Sequence, residues 1–484
     1  MLTSVQNLIE RLNAAPIRYC HWKSNLALTQ SLDGETDIDL LVHRKDAAKF
    51  RAILSQHCFR PALTTDGEAF PSVEHYYALD EESGALVHVH AYYRVVTGES
   101  LAKNYRLPIE EMLLENTRLV GPIPLPLKSA ELVVFTLRMM LKHTSPMELY
   151  LLRRYWKQVR QEIEWLMEDE LLDETLCFVK HWLPTVEPEL FTDCIAALRA
   201  PAPLLRRITL GYKLRSQLSP YARHNLLLAS VSEVQKFTIM AFRRLLHLKR
   251  GMMPQSGGAI IAFVGSEATG KSTLLAEMSK WLGEHFAVEH IHVGKPKATA
   301  LTFVPNSLVP AMRAWLPSYR TTRIEEQLVK KERTKTGRPR YPLISAVRAA
   351  LLAHDRRALL TKAYRRAANG TIILCDRYPS TQAGAPDSPQ LSNVVTEPGQ
   401  SALHRQLADI ESQMYRSIPP PDLVIYLSAP LEVTVQRNAP RGTKEPEEYV
   451  RWRHARTSNL EFGRIPVYRI NTDQPFEKTV LEVK

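Results

Sequence analysis

The sequence predicts an α/β protein in three parts. A parallel sheet with helices on both faces spans 258–484, an α+β domain spans 1–125, and a helical region spans 126–251. Three patterns carry this reading. Past residue 258, AIIAFVG, HIHVG, TIILCD, PDLVIYL and IPVYRI are short runs, apolar throughout and separated by helical stretches. Parallel strands covered on both faces read that way. From about 128 to 250, apolar residues recur at helical spacing. Before 125, LDGETDIDLLVHR and GALVHVHAYYRVV are rich in Val, Tyr and Leu and bounded by Gly or Asp, as strands are.

Bulk composition agrees. The chain has 484 residues, 45% hydrophobic and 24% charged, which excludes a disordered chain, a collagen and a disulfide miniprotein. At about 150 residues per domain the length suggests roughly three domains. No apolar run approaches the roughly 18 residues of a membrane span. The N-terminal MLTSVQNLIERLNAAP lacks the apolar core of a secretory signal. Cys20, Cys58, Cys177, Cys194 and Cys375 are scattered and show no CxxC spacing. Free thiols in a reducing cytoplasm are the simplest expectation, and a cysteine zinc site is not expected. The formal charge is +12, with twelve Lys/Arg between Lys330 and Arg366 against Glu332 and Asp355. Such a run attracts phosphates or forms a solvated helix face.

In the N-terminal domain, His21-Trp22-Lys23-Ser24-Asn25 precedes Asp37-Ile38-Asp39-Leu40-Leu41-Val42. Strand alternation places Asp37 and Asp39 on one face. Neighbouring carboxylates repel unless a divalent cation neutralises them, so both are candidate Mg²⁺ ligands. Over about residues 15–105 the pattern resembles the polymerase-β-type nucleotidyltransferase superfamily, in its uncharacterised bacterial branch. The resemblance implies a triphosphate turn, with Lys23-Ser24 standing in for it, and makes Asp37 and Asp39 catalytic metal ligands. It departs at the third carboxylate, where the strand Leu86–His90 offers His88; Glu74 and Asp80 are the alternatives. A histidine there weakens Mg²⁺ binding, favours a softer metal, or marks a domain without chemistry.

In the middle region, SAELVVFTLRMMLKH opens with Ser129 and has Glu131 in its first turn, which suits a helix start. QVRQEIEWLMEDELLDETLCFVKHWL continues the helical spacing, and AFRRLLHLKR reads as a basic connecting helix. MMPQSGG (252–258) reads as a linker, and 386–401 reads as an irregular loop.

The strongest motif is Gly265-Ser266-Glu267-Ala268-Thr269-Gly270-Lys271-Ser272-Thr273, a GxxxxGK[ST] match between an apolar strand and a helical stretch. Its glycines permit a tight backbone whose N–H groups point at phosphate oxygens. The helix N-terminus adds partial positive charge. Lys271 is expected to bridge the β- and γ-phosphates of ATP, and Ser272 to place a hydroxyl on Mg²⁺. Downstream, a strand ends in Asp376-Arg377-Tyr378-Pro379. An acid at that end of a neighbouring parallel strand faces the same crevice. Asp376 then holds Mg²⁺ or orients an acceptor, and Arg377 clamps an acceptor phosphate.

Over about 258–484 these motifs resemble the thymidylate kinase family of nucleoside monophosphate kinases (EC 2.7.4 type). FVGSEATGKST is similar to the family's loop, with Glu267 where bacterial-type members carry an acid. LLAHDRRALL matches a segment ending in Asp-Arg, CDRYP the Asp-Arg-Tyr motif, and PDLVIYLSAPLEVTVQRNAPRG a strand followed by an arginine-bearing lid. INTDQPFEKTVLEV is similar to the segment that packs near adenine. The resemblance implies that Arg356 and Arg377 contact the acceptor and that Arg437 and Arg441 reach over the ATP phosphates. Leu352 stands where the family carries a base-stacking aromatic, so thymidylate specificity does not follow.

The resulting expectation is an ATP- and Mg²⁺-dependent phosphotransferase acting on a small phosphorylated or hydroxylated acceptor. The domain pairing suggests added nucleotidyl transfer, as in bacterial surface-polysaccharide loci. The alternative is an RNA or DNA end-processing kinase–nucleotidyltransferase. The basic run supports it, but the lack of interleaved aromatics and of a Lys-x-Asp-Gly nucleophile disfavours nucleic acid. A nucleotide switch without catalysis is weakly opposed by the intact motif residues. A homodimer is admitted, though nothing in the chain requires it.

Overall fold

The computed structural model describes residues 1–65, 70, 72–98, 103–142, 146–167, 171–199, 204–225, 238, 242, 251–300, 302–303, 343–382, 385–392, 401–439, 446–457 and 459–484. For residues 146–155 and 344 it describes the backbone alone. The chain forms two compact units, Met1–Lys249 and Arg250–Lys484.

In the first unit the strands are β1 (Tyr19–His21), β2 (Ile38–Val42), β3 (Arg60–Thr64), β4 (Val73–Asp80) and β5 (Ala85–Tyr92), in spatial order β1-β2-β5-β4-β3. Only the β2/β5 pairing is parallel; β1/β2, β4/β5 and β3/β4 are antiparallel. The small ribbons β6 (Val95–Thr97) with β7 (Tyr105–Leu107) and β8 (Thr117–Val120) with β9 (Ile123–Pro126) follow. The helix Thr3–Ala14 buries Val5, Leu8, Ile9 and Leu12, a 3–4 spacing that lays one stripe on the sheet core with Phe50 and Val89. The helix Lys128–Lys142 is buried along nearly its whole length. Its Phe135 and Leu137 share a core with Trp22, just past β1, with Leu41 and Tyr92 from the strands and with Val179 and Phe191 from later helices.

In the second unit a five-stranded sheet runs β12 (Val288–His292), β13 (Ile372–Asp376), β11 (Ile260–Gly265), β14 (Leu423–Ser428), β15 (Val467–Asn471), and every pairing is parallel. The apolar-run reading holds best for the centre. β13 is buried throughout, and β11 and β14 nearly so. The edge strands β12 and β15 are only partly buried, and Tyr468 on β15 is 64% exposed, because an edge has one covered flank only. Register places Phe263 beside Asp376 and Gly265 beside Leu427, so the loop after β11 and the loop after β13 leave the same edge of the sheet.

The segment read as a linker is partly ordered as a strand. Met252–Pro254 forms β10, and Met252 exchanges backbone hydrogen bonds with His285 and Ala287 at 2.7 and 3.0 Å. The Pro/Gly signal lay C-terminal to the methionines, whose backbone found a partner. The residues 241 and 243–250 of the expected basic helix, and 330–342 of the basic run, lie outside the described residues; Arg348 to Arg366 of that run lie on the helix Leu343–Ala368.

Gly258 lies where a Cβ would sit 2.1 Å from the Thr371 carbonyl oxygen and 2.8 Å from that of Ala367. Both obstacles are backbone. Gly258→Ala is expected to destabilise the second unit by ~2 kcal/mol or more in urea denaturation. Gly283→Ala, in open space at a helix end, should change stability by less than ~1 kcal/mol, in the stabilising direction.

Candidate functional site

The loop between β11 and the helix Lys271–Gly283 needs unusual backbone. Gly265 has φ +146°, and a Cβ there would lie 2.2 Å from the Leu427 carbonyl oxygen of β14. Gly270, at φ +85°, caps the helix that Lys271 opens. Ala268 also has positive φ, 61°, although it is not glycine. That is a strained position sustained by its buried surroundings. Thr269 Oγ1 donates to the Ser266 carbonyl at 2.9 Å and closes the loop from inside.

Lys271 is buried at 6% exposure, and its Nζ donates to the Ser266 carbonyl. Among the described residues this is the one hydrogen-bond acceptor its ammonium has. Burial lowers its pKa to about 8, against the raising influence of Glu267 and Asp376, while Arg377 and Arg453 lower it further. Ser272 and Thr273, on the first turn, are exposed.

Next to the loop lies a network of five charged side chains. Arg377 donates to Glu267 Oε1 at 2.7 Å and to Asp387 Oδ2 at 3.3 Å. Arg453 lies 3.2 Å from Glu267 Oε1 and donates to Asp387 Oδ2 at 3.2 Å. Arg356 donates to Asp387 Oδ1 at 2.6 Å, to the Tyr415 hydroxyl at 2.7 Å and to the Val293 carbonyl at 3.2 Å. Burial opposes ionisation of both acids, but the arginines prevail and hold each carboxyl down at about 2; Lys271 assists at Glu267.

Asp376 ends β13 and is 8% exposed. Its Oδ2 lies 3.7 Å from His292 Nδ1, while its Oδ1 is buried with no hydrogen-bond partner among the described residues. An orphaned, buried carboxylate oxygen fits a ligand of Mg²⁺, and the exposed Ser272 hydroxyl is of the right type for a second. Mg²⁺ at phosphate sites takes only one or two protein oxygens and completes its shell with phosphate and water. Among the described residues no group of three or more His, Cys, Asp and Glu is placed to hold a metal, which such a site does not need.

On the loop's other flank, a cleft of about 230 Å³ is lined by Ala268, Thr269, Gly270, Arg437, Gln474 and Phe476, among others. Arg437 donates to the Thr472 carbonyl at 2.8 Å and to its hydroxyl at 3.2 Å. Arg441 lies outside the described residues. The structure thus brings Glu267, Arg356 and Arg377 together, seats Arg437 beside the loop, and adds Asp387, Arg453 and Tyr415, which sequence reasoning missed. Asp387 stood in a stretch read as irregular loop, and Arg453 on an ordinary helical stretch; no motif spacing marks either.

In the first unit, Asp37 and Asp39 do face the same way. Asp37 Oδ1 accepts from His88 Nδ1 at 2.7 Å, and Asp39 Oδ1 lies 2.8 Å from Lys23 Nζ and 3.2 Å from His90 Nδ1. His75 stacks on His90 at 4.3 Å, and Tyr77 on His88 at 4.3 Å. Burial lowers His75 to about 3 and His90 to about 4. Both histidines are neutral at physiological pH. Glu74 is taken by Arg51, and Asp80 by Ser4 and Ser83. The Lys23 ammonium sits on the carboxylate that would have to coordinate the cation, so the Asp37/Asp39 pair as arranged does not fit the expected Mg²⁺.

No protein-family model matches the chain. It is similar to the uncharacterized ATP-binding protein YghR of Escherichia coli K12, with 24% identity over 225 residues, 46% of this chain and 83% of that protein. The counterpart in E. coli O6:H1 strain CFT073 matches to the same extent, 24% over 225 residues. Among solved structures, deoxyadenosine kinase from M. mycoides with bound dATP is similar at 18% identity, over 46% of this chain and 96% of that one, with a TM-score of 0.29.

Two outcomes follow from these charges. The folded-state pKa of Lys271, about 8, lies below its ordinary 10.5. The unfolded chain therefore binds the extra proton in between, and stability rises with pH across that window. The stability of wild type relative to Lys271→Met should increase from pH 8 to pH 10.5, and a flat difference would show that the ammonium is not desolvated. Lys23→Met strands the Asp39 carboxylate and should cost ~3 kcal/mol or more. The Lys23→Met/Asp39→Asn double variant should cost less than the sum of its parts, and strict additivity would show that the two groups do not interact.

Proposed function

We propose that residues 250–484 carry an ATP-dependent phosphotransferase that moves the γ-phosphoryl group of ATP to a small phosphorylated or hydroxylated acceptor. The observation that carries this reading is Lys271. A buried ammonium with one hydrogen-bond acceptor among the described residues opens a helix behind a positive-φ glycine loop, near Asp376, whose Oδ1 has no partner among them. That combination lacks only an anion and a cation to be electrostatically satisfied. The name of the E. coli relative, an ATP-binding protein, supports the same reading.

The roles follow from position. Loop N–H groups and Lys271 would bind the β- and γ-phosphates. The cleft lined by Gln474 and Phe476, with Arg437 on its wall, would take the nucleoside. Ser272 and Asp376 would hold Mg²⁺, which supplies charge neutralisation on the phosphates. Phosphoryl transfer is mostly positioning and charge stabilisation, and the arginine network around Glu267 meets that need on the acceptor side. In the first unit the Lys23 ammonium lies 2.8 Å from the Asp39 carboxylate, an arrangement that lends no support to added nucleotidyl transfer.

Incubating the full chain with ATP, Mg²⁺ and a panel of nucleosides, nucleoside monophosphates, sugars and sugar phosphates should reveal a phosphoryl acceptor. Lys271→Ala should lower kcat/KM by ~10²-fold or more while the fold persists. Absence of transfer to every acceptor, with wild type and Lys271→Ala binding ATP alike, would remove the reading.

A further inference from the structure

Three guanidinium groups, those of Arg356, Arg377 and Arg453, converge in the second unit, and a carboxylate from the chain itself already stands among them. We propose that Asp387 fills the anion seat of the acceptor site with its own carboxylate, so that the acceptor is a hydroxyl compound carrying no phosphate at that seat. This rests on the phosphotransferase reading and narrows its acceptor class.

Geometry makes Asp387 a built part of the site. Its side chain is 15% exposed, with both oxygens engaged: Oδ1 by Arg356 at 2.6 Å, Oδ2 by Arg453 at 3.2 Å and Arg377 at 3.3 Å. A fork of this kind is what binds a phosphomonoester in an arginine-lined site. Asp387 also has φ +64°, a strained conformation for a residue with a side chain, so the surroundings hold it there.

The neighbouring backbone is pinned as well. The Ser388 hydroxyl accepts from the Ser380 N–H at 2.9 Å and lies 3.0 Å from its hydroxyl. Gln390 Nε2 donates to the Ala385 carbonyl at 2.6 Å. The Leu391 N–H donates to Glu411 Oε2 at 2.8 Å. A carboxylate tied down on both sides of its own residue does not swing aside readily for a ligand.

Charge gives the same answer. Three arginines face Glu267 and Asp387, which leaves a single positive charge in the network. A phosphomonoester brings ~1.5 to 2 negative charges at neutral pH and would lie against the Asp387 carboxylate. Without that carboxylate the network would carry two positive charges and match a phosphomonoester. With it, the seat suits a neutral, hydroxyl-bearing group that accepts hydrogen bonds from guanidinium edges. In the reaction the acceptor oxygen bonds to the γ-phosphorus, and the bond from that phosphorus to the β–γ bridging oxygen breaks. The bridging oxygen keeps the electron pair as ADP departs, and the hydroxyl proton is released to water.

The test is binding of inorganic phosphate by calorimetry at fixed ionic strength. It is made on the full chain in a Lys271→Ala background, so that the loop after β11 does not answer for the signal. Adding Asp387→Asn should tighten phosphate binding at least tenfold, and adding Arg377→Gln as well should reverse the gain. Equal affinity with and without Asp387→Asn overturns the proposal. So does a Kd below ~1 mM with Asp387 intact, a result that stands even if the Asp387→Asn chain fails to fold. In the acceptor panel, wild type should use unphosphorylated acceptors at least tenfold better than their phosphomonoesters, and the reverse order also overturns it. ATP binding to wild type is measured separately. Its absence would defeat the phosphotransferase reading, whereas the phosphate comparison decides the role of Asp387 alone.

Discussion

Burying charge without leaving it alone is the constraint on which the rest of the second unit depends. Glu267, Asp387, Arg356, Arg377 and Arg453 are all withdrawn from water at one edge of the parallel sheet. Each alone would bear a desolvation cost of several kcal/mol. Together they neutralise one another, and the geometry is tight because the penalty for looseness is high. The network joins four separate stretches of chain: the loop after β11, the helix Leu343–Ala368, the segment after β13, and the helix Glu447–Thr457. Those stretches are thereby held around the Gly265–Lys271 loop by charge as well as by the apolar core beneath.

Lys271 and Asp376 differ from that network in being incompletely matched. Among the described residues the lysine has a single carbonyl acceptor, and one oxygen of the aspartate has no partner. Native structures rarely leave such groups buried without a reason. The contrast separates the site into a part satisfied by the protein itself and a part that calls for ligand.

The first unit applies the same physics to a different end. Lys23 and His90 flank the Asp39 carboxylate, and His88 holds Asp37. Where a pair of carboxylates would otherwise call for a divalent cation, a lysine ammonium and two imidazoles stand in its place. The stack of His75, His88, His90 and Tyr77 then packs as aromatic surface, since burial disfavours protonating His75 and His90.

Local sequence was enough for features whose cause is local. Of the runs apolar throughout, β11, β13 and β14 became the covered central strands, while HIHVG and IPVYRI became the sheet's two edges. The Gly265-to-Lys271 spacing dictates a strand–loop–helix turn because positive φ and an unblocked approach to Leu427 need glycine. Alternation set Asp37 and Asp39 on one side. Tertiary structure alone decided the partners. Asp387 lies 120 residues beyond Glu267 and 66 before Arg453 along the chain, with no periodicity to connect them. Lys23 reaches Asp39 only through the antiparallel pairing of β1 and β2 that brings the segment after His21 back beside Asp39. A side chain's type and local spacing state what chemistry it can do. Which charge it meets depends on how strands far apart in sequence are laid side by side, and that contact determines whether a carboxylate binds a metal, accepts a proton or fills an anion's place.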